Sequence, residues 1–248
     1  MKNFSLKSIL AAYLLLTLGL SSCSTVEPKT VEAKYDKAMV FIEKGEYNMA
    51  PPVLQEILRE SPGTRYATYS YLKLGDCYLE IGDTKDNFDQ AEVHYRIFLR
   101  KSPNSHLVPY VLSRLIELNY KRNISKLWGD EYAFSRDPGH FKSIIHDYQT
   151  FYLLYPSSLY LADAQDYRNK ALEALAEHEF IIGTWYYGHK LFPSSIARYS
   201  HILKVYPNFS GRDKVVFELI NAYRKNQQPS LATELESQYR GESQVSSL

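Results

Sequence analysis

The chain has 248 residues, 23% of them charged, and a formal net charge of +1. That length accommodates one large domain or two ordinary ones. A near-even mixture of signs argues against a nucleic-acid binder, which needs a basic stripe or patch.

The N-terminus differs from the remainder. Lys2 and Lys7 are the only charges before Cys23, and Ile9 to Leu20 is an uncharged apolar run. A spanning helix needs about 20 apolar residues, so this run is too short to cross a bilayer. A basic start, a short apolar core and small residues at Ser21 and Ser22 make a secretory signal peptide over 1–22. Leu20-Ser21-Ser22-Cys23 resembles the bacterial lipobox, which implies cleavage before Cys23 and acylation of that residue. Two or three acyl chains hold a protein stably where one does not. A plain secretory site with a chance cysteine is the alternative. Loss of residues 1–22 removes two lysines and no acid, so the net charge becomes −1. Ser24, following the cysteine, resembles outer-membrane sorting. Residues 23–31, with Pro28, read as a short flexible tether. Cys77 then lacks an intrachain partner and reads as a small buried core residue.

From residue 32 onward apolar residues recur at three and four positions, and no alternating strand pattern occurs. Four stops punctuate the helices: ESPGT at 60–64, KSPNS at 101–105, YPSS at 155–158 and YPNFS at 206–210. Proline disfavours helical geometry in the residue before it, so each marks a helix end. Counting back from these prolines gives a common skeleton. Ala38, Phe41, Gly45, Tyr47, Ala50, Leu54 and Pro62 form one unit. Gly75, Tyr78 and Gly82, then Phe88, Ala91, Tyr95 and Pro103 form a second, with an insertion around 84–87. Gly183, Tyr186, Ser195, Tyr199 and Pro207 form another. Leu115, Leu118, Ile144, Tyr148 and Pro156 carry a weaker unit, its helices split by a connection over about 125–139.

This spacing resembles the tetratricopeptide (TPR) pattern. Small residues at Ala38, Gly75 and Gly183, and at Ala50, Ala91 and Ser195, let paired helices approach closely. Tyr78 and Tyr186 are expected to fill the space beside them. An ordinary helical bundle is the alternative. The fold expected is all-α: a TPR solenoid of about ten helices in five antiparallel pairs. Repeats over 32–157 and 158–240 form the N- and C-terminal halves. A long helix within 158–190 joins them, and 241–248 is a tail. Pro51 and Pro52 suit only a first turn, so the second helix should begin near Ala50.

Two segments narrow the reading. Leu127 to Ala164 carries a Gly-Asp loop ending in Ser135-Arg136-Asp137-Pro138, a Tyr-Pro-Ser-Ser stop and Asp163-Ala164. Leu175 to Pro207 carries Leu-Ala-Glu-His-Glu, the Trp185-Tyr186-Tyr187 cluster and Ala197-Arg198. With the lipobox and five helix pairs, these resemble the BamD (ComL) family of outer-membrane β-barrel assembly lipoproteins. The resemblance implies a lipid-anchored scaffold on the periplasmic face of the outer membrane of a Gram-negative bacterium. It implies docking of the C-terminal repeats on a BamA-like periplasmic domain, contact with other assembly lipoproteins, and an N-terminal groove that receives unfolded barrel precursors. Arg198 stands where the family carries an arginine facing BamA. Arg136, Asp137 and Pro138 would pin the long loop, and Glu177 and Glu179 would serve inside the solenoid. Tyr47, Tyr66, Tyr69, Tyr71 and Tyr78 are candidates for the peptide groove. No cofactor is implied beyond N-acyl and S-diacylglycerol groups on Cys23.

Other readings remain open at this point. A secretin pilotin or a cell-envelope coordinator would share the repeat. An enzyme would need a constellation that the chain lacks. None of His94, His106, His140, His146, His178, His189 and His201 sits in HExxH, no cysteine pair has zinc spacing, and GxSxG is missing.

Overall fold

The structure is a computed structural model, and it describes residues 30–82, 84–125 and 138–245. The lipobox with Cys23, the tether up to residue 29, and Arg136 and Asp137 lie outside the described residues. Among these residues the chain forms ten helices and no strand. They are α1 (Val31–Glu43), α2 (Ala50–Glu60), α3 (Arg65–Ile81), α4 (Lys85–Lys101), α5 (Val108–Ser125), α6 (Gly139–Leu154), α7 (Leu161–Gly188), α8 (Phe192–Val205), α9 (Arg212–Lys225) and α10 (Pro229–Val245).

Local chemistry sets several ends. The hydroxyls of Thr30, Thr64 and Thr84 accept from the amides of Ala33, Ala67 and Asn87 at 3.1–3.2 Å, which caps α1, α3 and α4. Pro51 and Pro52 fall in the first turn of α2, as their missing amide hydrogens require. The residues inserted in the second unit lengthen the helix pair itself. Asn87 Nδ2 donates to the Gly82 carbonyl at 2.7 Å and closes the α3–α4 turn.

Each helix packs on its neighbours in sequence. The first helices of successive pairs also pack together: α1 on α3, α3 on α5, and α5 on α7. The second helices make no comparable contact among the described residues. The stack therefore curves with the first helices on its inner side. This is the TPR solenoid of five helix pairs expected from the spacing.

The core is a succession of clusters, each spanning three consecutive helices. One joins α1, α2 and α3 around Leu54, Ile57 and Leu74. The next joins α3, α4 and α5 around Tyr95, Phe98 and Leu118. Ile116, Ile144 and Phe151 centre the third, which uses the N-terminal half of α7. Tyr199, Ile202 and Val215 centre the fourth, which uses the C-terminal half of α7. A small fifth cluster ties α10 to α9. At 28 residues α7 is long enough to serve two repeats, and so it joins the two halves.

The small sites work as expected, but with different aromatics. A β-carbon on Gly75 would lie 2.6 Å from the Tyr95 ring, and one on Gly183 would lie 2.6 Å from the Tyr199 ring. Tyr78 and Tyr186 are only half-buried. The aromatic that fills each gap therefore comes from the second helix of the same pair. Tyr78 packs at the margin of the first two clusters, while Tyr95 and Tyr199 lie directly against the glycines. Leu115 and Ile144 are both buried, yet they belong to different clusters, so the third unit closes around bulky residues. Cys77 is a buried, free thiol in the first cluster.

Candidate partner-binding surfaces

Two surfaces combine exposed side chains with a defined geometry. The first lies on the inner side, where α3, α5 and α7 run beside one another. At its centre is Asp76, 6% exposed. The hydroxyls of Tyr95 and Tyr110 both donate to Asp76 Oδ1 at 2.9 Å, and Lys73 Nζ donates to Oδ2 at 3.0 Å. A buried carboxylate survives only when so partnered. Burial and the neighbouring Asp76 charge hold both tyrosine hydroxyls above their ordinary pKa, so they remain donors.

Around this hub runs an ionic ladder. Arg114 bridges Glu80 on α3 and Glu117 on its own helix, the latter at 2.6 Å. Lys121 reaches Glu117 at 2.8 Å. Next to it Tyr110, Glu117, Tyr160, Asp163 and Tyr167 line a cleft of about 210 Å³. Burial beside the Glu117 carboxylate pushes Tyr167 up to about 12. This lining is rich in hydroxyls and carboxylates, of which Tyr110 is engaged with Asp76 and Glu117 with Arg114 and Lys121.

The second surface lies on the C-terminal half. Phe180, Ile181, Thr184, Trp185, Tyr186, Glu177 and Lys214 line an open, mainly apolar cleft of about 600 Å³. Trp185 is 55% exposed. Lys214 Nζ sits 4.6 Å over the Phe180 ring, close enough for a cation–π contact. Arg198 joins this edge. Its Nη1 donates to Glu179 Oε2 at 2.7 Å, and it also contacts Tyr186, a lining residue. Those partners raise the guanidinium pKa further, so its charge is fixed. The Arg198 side chain is nevertheless 40% exposed. It is held in one pose with part of its fork open to solvent.

The candidate groove residues are not gathered at one place. Tyr47, Tyr66 and Tyr78 pack against the first cluster, and Tyr69, Tyr71 and Tyr78 against the second. Tyr66 is already occupied: its hydroxyl donates to Glu32 Oε1 at 2.8 Å and accepts from Arg65. Tyr71 and Tyr78 flank the His94 ring, at 6.0 and 5.7 Å. Pro138 caps α6, and Glu177 faces the apolar cleft. The Asp76 hub, Arg114, Tyr110 and Lys214 did not emerge from the sequence. A usable signal existed, since Tyr110, Arg114, Glu117 and Lys121 recur at three- and four-residue steps along one face of α5.

Comparison with known proteins places this architecture. Residues 27–238 match the family model described as YfiO, outer membrane lipoprotein. The outer membrane protein assembly factor BamD of Haemophilus influenzae is 25% identical over 229 residues, covering 91% of this chain and 86% of that protein. BamD of Neisseria gonorrhoeae is 25% identical over 232 residues, with coverages of 88% and 85%. BamD of Pasteurella multocida is 21% identical over 220 residues, with coverages of 85% and 82%. The chain therefore belongs to the YfiO family of outer-membrane lipoproteins, which includes the BamD assembly factors.

Proposed function

We propose that this protein is a scaffold of the outer-membrane protein assembly machinery. It acts by binding, without catalysis, on the periplasmic face of the outer membrane, held there by acyl chains on Cys23. The observation that carries this reading is similarity to BamD assembly factors over nearly the whole chain, spanning both surfaces described above.

The two surfaces divide the work. The C-terminal cleft docks a BamA-like periplasmic domain. Its apolar floor supplies the hydrophobic part of the contact, and Arg198 supplies a charge already aimed by Glu179. The inner surface of α3, α5 and α7 receives unfolded barrel precursors. An extended segment presents backbone groups and alternate side chains, and the row of tyrosine hydroxyls and carboxylates can pair with both. Such pairing leaves water able to compete, so release is easy. Other lipoproteins of the machinery bind the same solenoid elsewhere.

A photo-crosslinking residue at position 198, in cells, tests the docking. A BamA-sized adduct is expected. Recovery of a secretin in its place would overturn the reading.

A further inference from the structure

The turn between α6 and α7 differs from its counterparts in the other repeats. Counting from the stop prolines Pro62, Pro103, Pro156 and Pro207, the residues three and two before are Arg59-Glu60, Arg100-Lys101, Leu153-Leu154 and Lys204-Val205. Three residues after each proline stand Arg65, His106, Leu159 and Ser210. All of these positions are exposed. The fold thus tolerates charge at each, and one repeat alone carries leucine at all three. Leu159 is 91% exposed and Leu153 79%. Packing does not explain them.

Charge is missing from this stretch of the chain, up to Asp147 on α6 and Asp163 in the first turn of α7. Tyr148 to Ala162 holds no Asp, Glu, Lys or Arg, in a chain that is 23% charged. Behind the leucines stand tyrosines. Tyr155 and Tyr160 pack inward on the third cluster, while Tyr152 is 55% exposed. Tyr152 stacks on Tyr148 at 6.2 Å, and the Arg168 guanidinium lies 5.5 Å over the Tyr148 ring. Along α7 from the turn the first charged side chains are Asp163 and Asp166, followed by Arg168.

We propose that this turn is a membrane-inserting knob that dips into the acyl region of a phospholipid bilayer. Leucines at the tip enter hydrocarbon without carrying a charge there. Tyrosines sit at headgroup depth, where amphipathic rings concentrate. Arg168 stands where an anionic headgroup would lie. A protein partner fits the turn less well. Protein interfaces surround their apolar centre with a charged and polar rim that sets orientation, and besides its tyrosines this stretch has only Gln149, Thr150, Ser157 and Ser158 as polar side chains. The proposal stands on the turn itself and does not depend on acylation of Cys23. It adds a second membrane contact, one that would fix how the solenoid is tilted.

The test is a diazirine amino acid at position 159 in the full chain, irradiated with phosphatidylethanolamine–phosphatidylglycerol vesicles that the chain has been shown to float with. Position 93 on α4, where Val93 is 50% exposed, is the control. Phospholipid adducts by mass spectrometry are expected at 159 at least about tenfold above 93, and Leu153→Ser should cut them by about as much, since a leucine's transfer to hydrocarbon is worth that factor or more. Equal labelling at 159 and 93 on floated protein overturns the proposal. So do adducts at 159 between two copies of the chain.

Discussion

Gly183 lies against the ring of Tyr199 so closely that a β-carbon there would sit 2.6 Å from Cε1. Tyr199 is fully buried, and Thr184 holds its hydroxyl at 3.2 Å, so the ring has nowhere to go. In most helix interiors Gly→Ala gains about 1 kcal/mol. Here overpacking, worth about 1–3 kcal/mol, opposes that gain. Gly183→Ala should therefore lower stability, and Gly183→Val should lower it further. Urea unfolding followed by helical circular dichroism reads both. Gly188 has open space around it, so the same change there should be neutral or stabilising.

Arg114 ties α3 to α5 through Glu80 and Glu117 and is largely buried. Arg114→Met leaves two carboxylates facing each other across the inner surface. Removing one partner from a buried ionic cluster costs about 3–5 kcal/mol, and partial exposure of this one trims that to about 2–4 kcal/mol. The urea midpoint should fall accordingly. Adding Glu80→Gln should recover part of the loss, because Lys121, 2.8 Å from Glu117 and 3.9 Å from Glu80, is then the one cation left for two carboxylates and the change removes one of them.

Arg198 should behave differently. Its ion pair with Glu179 is partly exposed, so Arg198→Ala should change stability by no more than about 1 kcal/mol. Co-purification with a BamA-like partner should nevertheless drop sharply. A variant that unfolds, or one that keeps full partner recovery, would contradict the proposed role.

Burial pushes the Cys77 thiol up to about 12. It should resist thiol reagents at pH 8 in the native protein and react on unfolding. The unfolded thiol ionises near the ordinary value of about 8.5 and the folded one much later. The stabilisation is thus complete below that ordinary value and is lost as pH rises towards about 12. Cys77→Ala should flatten this alkaline slope.

His94 is shifted the other way. Burial lowers its pKa, and its ring is stacked parallel to Tyr78. The unfolded state therefore takes up a proton first as pH falls below about 6.5, and stability declines from there. His94→Phe keeps a ring between Tyr71 and Tyr78 and removes the proton. It should reduce the loss of stability between pH 7 and pH 5, as measured by thermal unfolding.

Helix ends are local events. The prolines at 62, 103, 156 and 207 and the Pro51-Pro52 pair act within one turn, so the linear chain reveals them. The repeat is legible for a related reason: each pair must bury the same face, so small and aromatic residues return at fixed spacing. Candidate site residues were harder to place. Tyr47, Tyr66, Tyr69 and Tyr71 divide between two core clusters, because a tyrosine serves a core as readily as a groove.

The sequence alone determined an all-helical repeat, the register of its stops, and a long α7, because these depend on spacing and on backbone restrictions carried by single residues. Tertiary structure decided which aromatic meets which glycine, that Asp76 collects donors from three helices, and that Arg198 is steadied by Glu179. Lys73 apart, those outcomes depend on residues 16 to 34 positions apart meeting across packed helices. Such meetings are fixed by the crossing of whole helices, which no local pattern encodes.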